Sequence, residues 1–182
     1  MPLEAALRAF ADRASLTFLS RTGAANEAQY YVYDAECTRR YCYGEVWSPG
    51  GRTVLWVMFN PGTGESEGRP RPTLERCRQW SRRRGHGSLL FCNLYSLRTR
   101  AACDVGRGEV LADPLNLRAI EFARSLSDEV FVAWGATIGR REIPPCLHTL
   151  LAGALCLGHT RRGHPRHPLY VRADAEPRPW HP

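Results

Sequence analysis

The sequence predicts an α/β fold: a three-layer sandwich with a central, mainly parallel four-stranded sheet, an N-terminal helix and an antiparallel hairpin at the sheet edge. Three observations carry this. Residues 53–59 form an unbroken apolar run, β-branched at Val54 and Val57, with the length of a strand buried on both faces. Three more strand-like segments, 87–95, 129–135 and 154–158, alternate with helix-like ones, as parallel sheets require. The first two strands reach an asparagine, Asn60 or Asn93, and the third ends in Trp134-Gly135, so polar groups gather at the carboxyl edge, where α/β proteins bind ligands.

The remaining elements follow in order. Leu3, Ala6, Leu7, Phe10, Ala14 and Phe18 recur at spacings near three and four, predicting one amphipathic helix over 3–19, with a loop at 21–26. Residues 30–33 and 40–47 are aromatic-rich strands, and Ser48-Pro49-Gly50-Gly51 is expected to fold the second back onto the 53–59 strand as a hairpin. Residues 65–71 read as a polar, flexible loop. A helix over 72–84 carries Arg82, Arg83 and Arg84 at its dipole-favoured end, as a solvated terminus or a phosphate contact, and stops at Gly85. A loop over 98–108 holds Arg98, Arg100 and Arg107. Asp113 caps and Pro114 opens a helix over 115–126, and Pro144-Pro145 must split the helical stretch 136–151. Residues 159–170 precede a Pro-rich tail, 172–182. A chain of 182 residues suits a single domain with its core over 53–171.

Composition bounds the chemistry. The net charge is +7, and all 25 basic residues are arginine. Guanidinium forks fit phosphates and stack on bases, although codon bias would give the same count. With no lysine, side-chain Schiff-base chemistry is excluded. Seven cysteines without a CxxC pair suggest neither a zinc ribbon nor a redox pair, and Cys92 and Cys156 read as small buried hydrophobes. No apolar stretch approaches a membrane span and no signal peptide is visible, so a reduced cytoplasm is the expected setting. No acidic cluster gathers at the sheet edge, so neither a metal nor another cofactor is expected. Asn60 alone reads as a turn cap.

Phe59-Asn60-Pro61-Gly62, Asn93, Val132-Ala133-Trp134-Gly135 and His167-Pro168-Leu169 occur in that order. This series resembles the uracil-DNA glycosylase superfamily, whose motifs are G-Q-D-P-Y or G-I-N-P-G, a base-reading asparagine, a strand ending in Trp-Gly and a late His-Pro-x-P-Leu loop. It resembles more closely the family of domain of unknown function 1643, with its L-N-P-S-T and G-x-P-x-H-P-L-Y pattern. Gly62-Thr63 departs from that family's Ser-Thr, and Leu169 follows His167-Pro168 without the usual serine.

The resemblance implies a glycosylase-like sheet and a monofunctional DNA glycosylase acting as a monomer on DNA. Asn60 would position a water. His167, with His164 as its rival, would donate a hydrogen bond to the departing base. Asn93 would read the flipped base beside Phe59, Pro61, Gly62 and Tyr95. Thr63, Arg98, Arg161, Arg162 and Arg166 would meet the DNA, and Leu169 would fill the gap in the helix. Gly62 stands where the uracil-specific motif has a tyrosine beside the pyrimidine five position, so a 5-substituted base is expected. The likeness extends to phage-defence glycosylases that remove glucosylated hydroxymethylcytosine. Two alternatives stay open: an Arg-rich nucleic-acid-binding module without chemistry, and a hydrolase of free nucleotides or nucleosides.

Overall fold

The computed structural model describes residues 2–23, 26–65, 67, 69–106 and 108–181. Arg107, Ala24 and Ala25 of the 21–26 loop, Ser66 and Gly68 of the 65–71 loop, and Pro182 of the tail lie outside the described residues. Helix α1 (Leu3–Arg13) leads into strands β1 (Thr17–Thr22), β2 (Ala28–Tyr33), β3 (Arg40–Val46) and β4 (Arg52–Met58). Then come α2 (Pro72–Arg83), β5 (His86–Asn93), α3 (Pro114–Ser125), β6 (Glu129–Val132), α4 (Pro145–Leu150), β7 (Leu155–Cys156) and β8 (Arg178–Pro179).

These strands make one eight-stranded mixed sheet in the order β1-β2-β3-β5-β4-β6-β7-β8. Four pairings are antiparallel, β1–β2, β2–β3, β3–β5 and β7–β8. Three are parallel, β5–β4, β4–β6 and β6–β7. The expected central, mainly parallel four-stranded sheet is therefore wrong. Periodicity located the parallel strands, but an open edge on β5 would be a row of unpaired N–H and C=O groups. The β1–β3 meander covers that edge and makes the sheet predominantly antiparallel.

The hairpin expected between β3 and β4 is also absent. β3 pairs instead with β5, with Tyr43 opposite Phe91, so β5 lies between the two strands. The connection crosses the start of β5, where the Trp47 and Ser48 N–H groups both donate to Gly87 O at 3.0 Å. Two glycines allow this crossing: a Cβ on Gly51 or on Gly87 would lie 2.9 Å from the other's Cα.

The predicted first helix is two elements. α1 ends at Arg13, Ser15 takes a left-handed φ of 55°, and β1 begins at Thr17. Phe18 fits the helical spacing by coincidence; its ring stacks on Tyr30 across the β1–β2 pair. β8, in the Pro-rich tail, pairs with β7.

Both sheet faces carry helices. Leu55, Val57 and Phe59 pack with residues of α1, α3 and α4, while Val54, Trp56 and Met58 pack against Leu74, Cys77 and Trp80 of α2. Each buried polar group here needs a partner. The Trp56 indole donates to Ser81 Oγ at 3.1 Å, and Ser81 donates to Cys77 O at 2.8 Å. All seven cysteines are free thiols. Among the described residues, no helix is long and apolar enough to cross a membrane, and no group of His, Cys, Asp or Glu could hold a metal ion.

Candidate functional site

A cavity of about 780 Å³ opens at the carboxyl ends of β4, β5 and β6, beneath the segment leading into α2 and the segment around His167. Asn60, Asn93 and His167 all line it. Of the other predicted site residues Phe59, Gly62, Thr63, Arg161 and Arg166 line it, whereas Pro61, Tyr95, Arg98, Arg162, His164 and Leu169 do not.

The Asn60 amide has one orientation that satisfies its neighbours. Its Nδ2 donates to Thr99 Oγ1 at 2.7 Å and to Pro61 O at 3.2 Å. The single Thr99 hydroxyl hydrogen goes to Ala101 O at 2.7 Å, and a carbonyl can only accept, so both contacts require the NH₂ end. Among the described residues no group donates to Oδ1, which is left to accept a hydrogen bond from a water or a ligand. Thr99 is itself anchored, since its N–H donates to Pro61 O at 3.1 Å. Nothing in the sequence marks Thr99; it lies in a polar loop without periodicity.

Asn93 ends β5 at 3% exposure, yet among the described residues its side-chain amide makes no hydrogen bond. Leaving such a donor unpaired costs about 1–3 kcal/mol, so the amide is available to a ligand or a water in the cavity. Its carbonyl is occupied, accepting from Asn116 Nδ2 at 2.7 Å.

His167 sits against Gly135, whose φ of 74° is open to glycine and whose added Cβ would lie 2.9 Å from His167 Cβ. Burial pushes the imidazole pKa below its ordinary value, so the ring is neutral at pH 7. Its Nδ1 accepts from the Leu169 N–H at 3.4 Å, which places the ring proton on Nε2. The result is a neutral N–H donor.

Five of the predicted site residues that lie off the cavity wall have partners or exposure of their own. The His164 Nε2 lies 2.9 Å from Gly139 O, so this ring ties the 159–166 segment to the turn at 136–139 and does not reach the cavity. Tyr95 is buried in the core with its edge against the Phe59 ring, centroids 5.2 Å apart, and supports that ring from behind. Arg98 is drawn inward: it pairs with Glu65 at 3.1 Å, lies over the Tyr33 ring and donates to Cys37 O, so it is not a surface phosphate contact. Arg162 is exposed away from the wall. Leu169 is 43% exposed outside the cavity, and its neighbour Tyr170, at 78%, is the side chain that reaches the rim.

The sequence reading also missed a carboxylate. Glu65 Oε1 accepts from Tyr33 Oη and Arg40 Nη1, each at 3.0 Å, and from Arg98. Burial works to raise its pKa, but the Arg40 guanidinium, a backbone N–H, Arg98 and Tyr33 together hold it below the usual range. Glu65 is therefore a fixed anion and no proton acceptor at neutral pH. The lining residues include six arginines, Arg40, Arg69, Arg71, Arg100, Arg161 and Arg166, against this single carboxylate.

Residues 40–169 match the family described as "Protein of unknown function (DUF1643)". The sequence matches no curated protein.

Proposed function

The chain belongs to the DUF1643 family, and from the motif resemblance to glycosylases and the cavity we propose that it is a monofunctional DNA glycosylase excising a flipped, 5-substituted pyrimidine. One observation carries the reading. An amide acceptor (Asn60 Oδ1), a neutral imidazole donor (His167 Nε2) and an unpartnered buried amide (Asn93) share one cavity large enough for a substituted base.

The chemistry suits those groups. The glycosidic C1′–N bond breaks with both electrons leaving on the base, so charge builds on the pyrimidine O2 and the sugar becomes oxocarbenium-like. A neutral N–H donor at His167 stabilises the anion as it forms, without having to surrender its proton. Asn93 reads the Watson–Crick edge of the extruded base. Asn60 cannot remove a proton, but it can hold a water whose oxygen bonds C1′ after the cation has formed, the displaced proton passing to solvent.

A Cβ at Gly62 would meet no atom within 4 Å, so the wall after Asn60-Pro61 is open. That supports a substituent at the pyrimidine five position, and the resemblance to phage-defence glycosylases makes glucosylated hydroxymethylcytosine the first base to test. Incubation with DNA from unmodified and hypermodified phages, followed by mass analysis of released bases, should yield a modified pyrimidine. Release should fall by about 100-fold in Asn60→Ala with duplex affinity little changed. Gly62→Tyr should fold normally and lose the substituted base. Release of uracil alone would contradict the pocket assignment. A hydrolase of free nucleotides is the second reading, supported by Arg40 and Arg71 lying inside the cavity; activity on mononucleotides with a flat salt dependence would favour it.

A further inference from the structure

The end of the cavity formed by α2 is arranged for negative charge. Residues Pro70, Arg71, Pro72, Thr73 and Leu74 line it, so the helix enters the wall by its N-terminus, where the macrodipole is positive. Among the described residues, no side chain caps this twelve-residue helix. Pro72 has no N–H, and the Thr73 and Leu74 N–H groups meet no acceptor among the described residues.

Arg71 and Arg40 flank the same end. Both guanidiniums lie over the Tyr43 ring, at 5.6 and 5.7 Å. Arg71 donates to Tyr31 Oη at 3.3 Å and forms no ion pair among the described residues. The Arg40 Nε is buried without a partner among the described residues. Glu65, the one carboxylate in the lining, is shared between Arg40 and Arg98 and does not neutralise the pair. Behind Tyr43, Glu45 is matched by Arg78, and Arg71 is connected to Glu27 through Tyr31 and Gln29. The unpartnered, buried Asn93 amide in the same cavity independently indicates that a ligand completes the site.

We propose that this is an anion subsite: the ligand of the cavity carries, besides its base, a phosphate or carboxylate bound by the N-terminus of α2, Arg71 and Arg40. The subsite rests on the cavity taking a nucleobase, as in the reading above, but not on that base being cut. A binding experiment therefore fails independently of the base-release assay. The anion has two sources, an acidic substituent on a base in DNA or the phosphate of a free nucleotide, and matched ligand pairs separate them.

Isothermal titration calorimetry of the full chain with deoxycytidine 5′-monophosphate against deoxycytidine tests the free nucleotide. A duplex containing 5-carboxycytosine against one containing 5-methylcytosine tests the substituent. In at least one pair the charged member should bind about tenfold tighter, as hydrogen bonds to a charged group require. That preference should vanish in Thr73→Glu, whose carboxylate is favourable in the first turn of a helix and occupies the subsite, so the variant folds while losing the anion. Arg71→Gln should reduce the preference. Equal binding within both pairs, no binding of any of the four ligands, or a preference that survives Thr73→Glu overturns the assignment.

Discussion

Asn60 is useful to a water only in one amide orientation, and Thr99 Oγ1 selects it together with Pro61 O. Thr99→Val keeps the volume but removes the shorter of the two contacts, so Nδ2 is held only by Pro61 O at 3.2 Å and the amide is less firmly oriented. Base release should fall about 10- to 100-fold while duplex affinity stays within about twofold, and Thr99→Ser should restore it. A Thr99→Val variant with unchanged base release would remove the positioning role. His167 makes a pH prediction. Its pKa is lowered by burial, so the neutral donor persists below the ordinary histidine value of about 6.5. Only below the lowered value does Nδ1 gain a proton and turn against the Leu169 N–H. A rate profile should therefore stay level from pH 8 to about 6.5 and decline further down; a decline already complete at pH 7 would contradict a neutral donor. Asn60 and Asn93 were legible because each closes an apolar run. Thr99 and Glu65 lie in polar loops, where pattern carries no information and only folding reveals the partners.

Among the elements, the β6 end shows how backbone and site depend on each other. Gly135 follows Ala133-Trp134 with positive φ, and its N–H donates to Pro165 O at 2.9 Å, docking the late segment onto the sheet. Gly135→Ala should cost about 1–3 kcal/mol in chemical denaturation, through strain and a clash with His167 Cβ, and should lower base release as well. Gly62→Ala, in open space, should leave stability unchanged; equal losses in both variants would sink the distinction. The strands β4, β5 and β6 were readable from their apolar runs. β7 was readable too, inside the 154–158 segment, but β1 was not, because Phe18 falls in step with the α1 period, and β8 is only two residues in the Pro-rich tail.

Across the whole molecule, the elements were more legible than their neighbours. Hydrophobic periodicity says that residues 40–47 form a strand; it does not say that β5, made later, is the partner. The Gly51–Gly87 crossing that permits this is a contact between two separate turns. The resulting sheet places Arg40 and Tyr43 of β3 in the cavity wall, so part of the site comes from the antiparallel half. The Arg-only composition adds a test on the product. With no lysine to form an imine, the expected product is an intact abasic site, and borohydride reduction should trap no adduct at a side chain. A peptide carrying trapped DNA on an internal residue would refute it.

The pairing of β3 with β5 also dictates an order of events during synthesis. While the ribosome is still making α2, the β1–β3 meander waits with one bare margin, a sticky surface that long-range pairing must eventually hide. The cavity gains its floor when Asn93 emerges and its rim only when Tyr170 does, so a stalled nascent chain holds the sheet's most adhesive border and none of its binding capacity.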